Sequence, residues 1–450
     1  MNEPELLRIR QIRVDGLFGL YNHCIDLNVE ERVTILHGPN GVGKTVTLRM
    51  VHALFEGRFD LLGQVPFSLF SLQFTDGTEI KLIPGDQSSE PSEGPKKLLK
   101  LSMQNGDFQV EISVDADTMV LAKQLSDHIP WLHRVGDNRW FDGREERELK
   151  GEEIVARYSN RVPSGLRKRA IEQEPVWFSE LRIKVDTHLI EAQRLLRVQV
   201  SEHPRIRIVD EVVSTVVDYA RDIKLRIRET LARYGQQSQA LDQSFPQRVL
   251  TAADAPLDAS DLKARMSALD AKRNELKKIG LLDETYEHPF DTSQLDVLDH
   301  TQKRVMTLYI QDTEKKLSVL EDLAHRARLF LDNVNKFKHK HIQIDREKGF
   351  VVEGENGEPL DIDLLSSGEQ HEMVLHYDLL FRVRPNALVL IDEPELSLHV
   401  AWQKRFLPDL LEIVKAAKID VLVATHSPFI VGDRDDLMVA MEAELADVSV

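Results

Sequence analysis

Gly38-Pro39-Asn40-Gly41-Val42-Gly43-Lys44-Thr45 places glycines, a lysine and a hydroxyl at the spacing of a phosphate cradle. Glycines let successive backbone N–H groups turn inward around phosphates, Lys44 brings charge to the β and γ groups, and Thr45 offers a hydroxyl to Mg²⁺. The ligand implied is ATP with Mg²⁺. A second run, Asn386 to Glu393, is apolar until it ends in two adjacent carboxylates. Where a buried strand ends, neighbouring side chains can turn into one crevice, so Asp392 is assigned to the metal and Glu393 to the base that polarises the attacking water. A third run, Leu365-Ser366-Ser367-Gly368-Glu369-Gln370, opens a helix expected over Glu369 to Phe381. Ser366 with Glu369, and Ser367 with Gln370, match the capping-box spacing, so a plain N-cap is one reading and an anion site at a helix N-terminus the other. This chain's nucleotide already has its own loop, so the second reading points to another protomer. A fourth run, Thr425-His426-Ser427-Pro428, follows the short apolar strand Val421 to Ala424. A histidine at a strand's carboxyl edge can reach a γ-phosphate, and a satisfied turn histidine is its alternative.

These residues need a particular scaffold. Residues 7 to 36 alternate in short runs and end in the apolar strand Val33 to Leu36, and Val46 to Phe55 has helical spacing, which is the strand-loop-helix context that the glycine loop requires. Phe67 to Leu82 returns to alternation around Asp76-Gly77, Pro84 to Pro95 reads as a polar loop, and Ile183 to Ile190 reads as a strand before Gln193. After Pro204 the pattern becomes helical: Val209, Val212, Val213, Val216, Val217, Ala220, Ile223 and Ile227, and later Leu317, Leu320, Leu323, Ala324 and Ala327, keep i, i+3, i+4 spacing. Between them Ser260-Asp261 is expected to cap a helix bearing Leu262, Met266, Leu269 and Leu276 that stops at Gly280. Pro246, Pro256 and Pro289 are expected to interrupt this region, leaving a short coiled-coil-like arm of roughly 65 Å at most, without sustained heptads. From Ile342 strands resume, with a turn at Glu355-Asn356-Gly357-Glu358. The expected architecture is an α/β P-loop head built from two lobes, residues 1–200 and 341–450, around a helical insertion at 201–340.

Composition narrows the class. The chain has 450 residues, 42% of them hydrophobic, enough for two or three domains with a substantial core. One cysteine, Cys24, excludes an internal disulfide and a Cys-x-x-Cys zinc site within one chain. With no long apolar run and no signal layout at Met1 to Glu5, the expectation is a cytoplasmic protein with no membrane contact. The net charge is -17, and residues 351–450 hold 20 acidic against 7 basic side chains. That balance argues against a nucleic-acid coat and leaves direct DNA contact open but unadvertised.

In chain order, the glycine loop, LSSGEQ, LVLIDEPE and the Thr425-His426-Ser427 segment resemble the ABC-type ATPases of the SMC, RecF and OLD branch. The runs around them, IDEPELSLHVAWQ and VATHSPFIV, resemble the stand-alone ATPases of prokaryotic anti-phage systems of the Septu, retron-associated and PARIS types. The resemblance covers both ends of the chain and hardly any of the insertion. It implies an ATPase in which Lys44 and Thr45 bind phosphate and Mg²⁺, Asp392 anchors the metal, Glu393 is the base and His426 the switch histidine. It also implies a Mg²⁺-sensing glutamine, at Gln193 or alternatively Gln73, and a homodimer or larger homo-oligomer closed around ATP. In that assembly Ser366, Ser367, Gly368 and Glu369 face the partner's nucleotide, and Ser397-Leu398-His399 lie at the interface. The zinc-hook cysteines of the repair members are absent, and the 24 residues after His426 are too few for the TOPRIM nuclease that OLD proteins append. The leading expectation is therefore an ATP-driven switch in anti-phage defence that controls a separately encoded nuclease or toxin. A RecF-like DNA repair ATPase and a slow-turnover assembly scaffold are the other readings.

Overall fold

The computed structural model describes residues 7–85, 96–103, 106–113, 122–123, 125–126, 129, 131–136, 138–143, 147–151, 153–154, 176–191, 196–198, 212–251, 255–282, 292–336, 339–396, 398 and 400–441. The chain divides into two compact units, one formed by Met1–Thr215 with Asp378–Val450 and the other by Val216–Tyr377. This division is drawn differently from the one at residues 200 and 340. The hairpins after residue 340, and the helix that follows Ser366, fall within the second unit together with the long helices.

In the first unit, β1 (Ile9–Leu17), β2 (Tyr21–Asp26), β4 (Leu69–Phe74), β5 (Glu79–Pro84), β6 (Lys96–Met103) and β7 (Gly106–Ser113) form an antiparallel sheet in the order β2-β1-β4-β5-β6-β7. A small sheet holds β8 (Leu132–Gly136), β9 (Arg139–Asp142) and β10 (Arg147–Lys150), and β12 (Leu196–Val198) pairs with β13 (Val212–Ser214). A wholly parallel sheet runs β11-β17-β18-β3-β19, from β3 (Val33–His37), β11 (Thr187–Ile190), β17 (Leu388–Asp392), β18 (Asp420–Ala424) and β19 (Met438–Ala440). Every residue of β17 and β18 is buried, as strands covered on both faces must be, and so they read as continuous apolar runs. The helix α1 (Lys44–Glu56) follows the glycine loop, and its Leu48, Val51 and Leu54 share one core with Ile12 and Val14 of β1 and Leu390 and Leu422 of the parallel strands. The unit is completed by α2 (Phe59–Gln64), α3 (Val176–Lys184), α8 (Val400–Ala417) and α9 (Pro428–Val431). This is the α/β arrangement expected, and its parallel strands come from three distant parts of the chain, residues 33–37, 187–190 and 388–440.

The second unit contains α4 (from Thr215 in the first unit to Thr251), α5 (Ala259–Lys278), α6 (His300–Val334) and α7 (Ser367–Tyr377), with the sheet β14 (Lys340–Asp345), β15 (Gly349–Gly354) and β16 (Pro359–Leu360). Leu262, Met266, Leu269 and Leu276 of α5 are buried, as are Leu317, Leu320, Leu323, Ala324 and Ala327 of α6, so the helical spacing marked the apolar faces correctly.

Five local expectations are corrected. Val212 and Val213, read into the helical pattern, belong with Ser214 to the strand β13, and α4 begins only at Thr215. Ile183 lies in α3 and is 64% exposed, because Phe178 and Leu181 take the inward positions, and the strand begins only at Thr187. Asp258, not Ser260 or Asp261, caps α5, its carboxylate accepting the Asp261 N–H at 2.8 Å. The helix opened by Ser367 ends at Tyr377 and passes into a π-helical turn over Asp378–Arg382 instead of continuing evenly to Phe381. Pro246 lies inside α4 without ending it. There the Arg248 guanidinium donates to the Leu241 carbonyl at 2.8 Å while gripping Asp312 of α6 at 2.6 and 2.7 Å.

Candidate nucleotide site

The glycine loop joins the end of β3 to the start of α1. Gly43 sits at φ 102°, a left-handed conformation that side chains disfavour, and a Cβ there would run into Leu17 of β1. A Cβ on Gly38 would come within 2.6 Å of the Met441 carbonyl. The loop is braced from outside by His23 of β2, buried to 4% exposure, whose Nε2 lies 2.8 Å from the Val42 carbonyl. Burial pushes the His23 pKa down, which suits a neutral imidazole that donates to the loop.

Lys44, at the first position of α1, is 5% exposed. Its ammonium donates to the carbonyls of Gly38 and Pro39 at 2.8 and 3.0 Å and faces His426 Nδ1 at 3.3 Å. None of these partners carries a formal negative charge. Burial pushes the Lys44 pKa down, against the fields of Glu393, Glu395 and Asp392, which favour the charged form. Beside it, the Thr45 hydroxyl donates to Asp392 Oδ1 at 2.8 Å across 347 positions of sequence. Asp392 ends β17, is 6% exposed, and has a pKa pushed up to about 6 by burial and by the neighbouring Glu393 and Glu191, with the Thr45 hydrogen bond and Arg49 pulling the other way. A hydroxyl and a carboxylate side by side are hard oxygen donors, and a carboxylate short of positive partners is the chemistry that fits Mg²⁺.

Immediately after β17 the backbone of Glu393 takes φ 45°, unusual for a side-chain-bearing residue, and is pinned by its N–H to the Ala424 carbonyl at 2.8 Å. That twist redirects the chain, so that Asp392 reaches Thr45 while Glu393 Oε1 comes within 3.8 Å of His426 Nε2. Asp392, Glu393 and His426 are thus brought together with Lys44 and Thr45.

Several neighbours carried no motif signal. Glu395 Oε1 accepts the backbone N–H of His426 at 2.7 Å, and Gln403 of α8 donates to the Leu398 carbonyl and accepts from the Ser427 hydroxyl at 2.8 Å. Arg49 of α1 pairs with Glu191, past the end of β11, at 3.3 Å. The third carboxylate of Asp-Glu-Pro-Glu was the one available hint for Glu395; His23, Arg49 and Gln403 sit in ordinary strand and helix patterns. Gln193, Ser397 and His399 lie outside the described residues. Gln73 stands in β4, in register with Gln11 and Glu79 within the antiparallel sheet, and not at the strand ends of the parallel one.

Ser366, Ser367, Gly368 and Glu369 belong to the second unit. Ser366 and Glu369 form the capping box there: the Glu369 carboxylate accepts the Ser366 N–H at 2.7 Å, and the Glu369 N–H points at the Ser366 hydroxyl at 3.4 Å. Gln370, the other capping candidate, instead donates to the Leu365 carbonyl at 3.0 Å.

A family described as "AAA domain, putative AbiEii toxin, Type IV TA system" matches residues 201–432, a span that includes Ser366 to Glu369, Asp392, Glu393 and His426. The chain belongs to this family. The glycine loop lies ahead of the matched span. The chain is similar to the "Retron Ec83 probable ATPase" of Escherichia coli, 27% identical over 188 residues, 38% of this chain and 33% of that protein. The match therefore spans about a third of the relative's length. Among solved structures it is similar to the Smc head domain with an extended coiled coil from Pyrococcus furiosus, at 12% identity and TM-score 0.33, covering 97% of this chain and 93% of that one. The SMC head domain from Thermotoga maritima gives 12% identity and TM-score 0.31, with 95% and 92% covered. Among the described residues, no helix is long and apolar enough to cross a membrane.

Proposed function

We propose that this protein hydrolyses ATP as a molecular switch, closing as a homodimer or larger homo-oligomer around the nucleotide and controlling a separately encoded effector, a nuclease or toxin, in anti-phage defence. The observation that carries the ATPase part is the convergence of Lys44, Thr45, Asp392, Glu393 and His426 at the carboxyl ends of adjacent parallel strands. Lys44 gives its three donors to neutral groups, each of which a phosphate oxygen can replace with a stronger, charge-assisted bond. Thr45 and Asp392 would hold Mg²⁺, which when bound supplies positive charge against the phosphates. Glu393 is held by its strained backbone as the general base, with His426 across from it to contact the γ-phosphate. The helix N-terminus at Ser366 to Glu369 serves the nucleotide of another copy. Similarity to a retron ATPase supports the defence setting.

The test compares two variants in Mg-ATP. Glu393→Gln should bind ATP normally, hydrolyse it at least about 100-fold more slowly and accumulate as a dimer or larger species on sizing, because the loss of a base blocks exit from the closed state. Lys44→Ala should bind ATP at least about 100-fold more weakly and stay unassociated. Equal association of the two variants would overturn the shared site. Recovery from the native host of DNA repair proteins, without any nuclease or toxin, would overturn the defence assignment.

A further inference from the structure

An acidic residue is an odd component for a motif meant to meet phosphate. Glu369 stands three residues after Ser366 and is 9% exposed, so its negative charge is neither distant nor well screened by water. One oxygen of that carboxylate, Oε2, collects three donors: the Ser366 N–H at 2.7 Å, the Ser366 hydroxyl at 2.8 Å and the Lys340 ammonium at 2.7 Å. Lys340 is the first residue of β14, 29 positions away, and also reaches the Leu364 carbonyl at 3.4 Å. Burial pushes the Glu369 pKa up, but Lys340 and Ser366 outweigh it and hold the carboxyl below its ordinary range, so the group is ionised at neutral pH.

Two consequences follow from this geometry. The Ser366 hydroxyl spends its one proton on Glu369, and to donate to a phosphate oxygen it must rotate away. Once it has rotated, the carboxylate would confront the phosphate with a bare negative charge were Lys340 not bound to the same oxygen.

We propose that Lys340 is a positioning residue for the Ser366 to Glu369 segment, neutralising the Glu369 carboxylate so that this helix N-terminus can accept the γ-phosphate of another copy's ATP. The inference rests on the shared-site reading given above. It assigns Lys340 no contact with nucleotide, since the ammonium's charge is committed to Glu369.

The test is a charge cycle read by assembly, in the full chain carrying Glu393→Gln and titrated with Mg-ATP. Lys340→Met should raise the protein concentration for half-assembly by about tenfold or more, because an uncompensated carboxylate repels the incoming phosphate. ATP binding to the unassociated chain should not change, since the glycine loop belongs to the other unit. Lys340→Arg should assemble like the parent. Adding Glu369→Gln to Lys340→Met should restore assembly to within about threefold, because a neutral amide still accepts the Ser366 N–H. Normal assembly of Lys340→Met overturns the proposal, and so does a defect that Glu369→Gln fails to relieve, which would mark a packing role instead. Should the parent itself fail to assemble, the shared-site reading falls, and amide exchange of residues 364–370 in the nucleotide-free chain then decides whether Lys340 positions the segment. Protection there should drop about tenfold in Lys340→Met and be retained in Lys340→Arg; protection unchanged in Lys340→Met overturns the positioning role.

Discussion

Lys44, buried, and Lys340, half-buried, each stand beside a motif proposed to meet phosphate, yet the two units treat them in opposite ways. Lys44 touches only carbonyls and a histidine, while Lys340 is committed to a carboxylate. The contrast extends beyond these residues. In the first unit Asp392 is buried with a hydroxyl for company and a pKa near 6. In the second, Arg248 meets Asp312 with two bonds, and Tyr377 and Arg226 both donate to Asp222 at 2.7 and 2.8 Å. Asp312 and Asp222 of the helical insertion are each matched by an arginine, whereas neither Lys44 nor Asp392 bonds a side chain of opposite charge. An unmatched charge lowers the stability of the empty protein and is the same charge a ligand can satisfy on arrival.

The contrast makes its largest demand on Arg248→Ala. Asp312 would be left 5% exposed without its partner, and the Leu241 carbonyl would lose the guanidinium as a donor. The expected cost is about 3 to 5 kcal/mol in the unfolding of the helical unit, measured by denaturant titration, with ATP affinity within twofold of the parent. A cost under about 1 kcal/mol would mean that the insertion does not depend on charge matching.

Asp392→Asn should show the opposite sign. With its pKa raised from 3.8 to about 6, the ionised carboxylate destabilises the empty protein by roughly 3 kcal/mol at pH values above 6. The variant, measured without nucleotide and with metal chelated, should melt a few degrees higher at pH 8. As pH falls from about 6 to about 4 the parent's carboxylate becomes protonated in the folded state first, and the advantage should vanish. In Mg-ATP the order should reverse, since the amide is a poor metal ligand. A variant no more stable than its parent at pH 8 would show that Asp392 is already compensated.

How much of this the sequence revealed depended on how each feature is built. The glycine loop, the Asp392-Glu393 pair and the capping box are runs of consecutive residues whose chemistry follows from their spacing, and the apolar faces of α5 and α6 follow from periodicity. Arg248 with Leu241 and Asp312, Lys340 with Glu369, and His23 with Val42 join residues that only the tertiary structure brings together. Proline's helix-breaking tendency is local chemistry, but Pro246 stands inside α4, where Arg248 ties the helix to Asp312 of α6. The alternation that placed Ile183 in a strand was short enough to fit a helix whose inward positions are Phe178 and Leu181.

His23 gives the smallest and most local test of the contrast. It is a polar group of the nucleotide side that does have its partner, so it should behave as the matched pairs of the insertion do, on the scale of one neutral hydrogen bond. His23→Ala leaves the Val42 carbonyl without that donor and loosens the loop ahead of Lys44, which should raise KM for ATP about three- to tenfold with kcat changed less, a loss of about 1 kcal/mol. His23→Gln, which can offer an N–H from a similar reach, should recover part of it. The pH dependence supplies an independent sign. Burial depresses the folded pKa of His23 below 6.5, so its contribution to stability is present above that value and declines as pH falls below it, when the unfolded chain takes up the proton more readily. His23→Ala should therefore flatten the loss of thermal stability between pH 7 and pH 5. If KM rises but that slope is unchanged, the imidazole is acting by shape alone; if neither moves, the loop holds its conformation through Gly43 and Leu17 without help from β2.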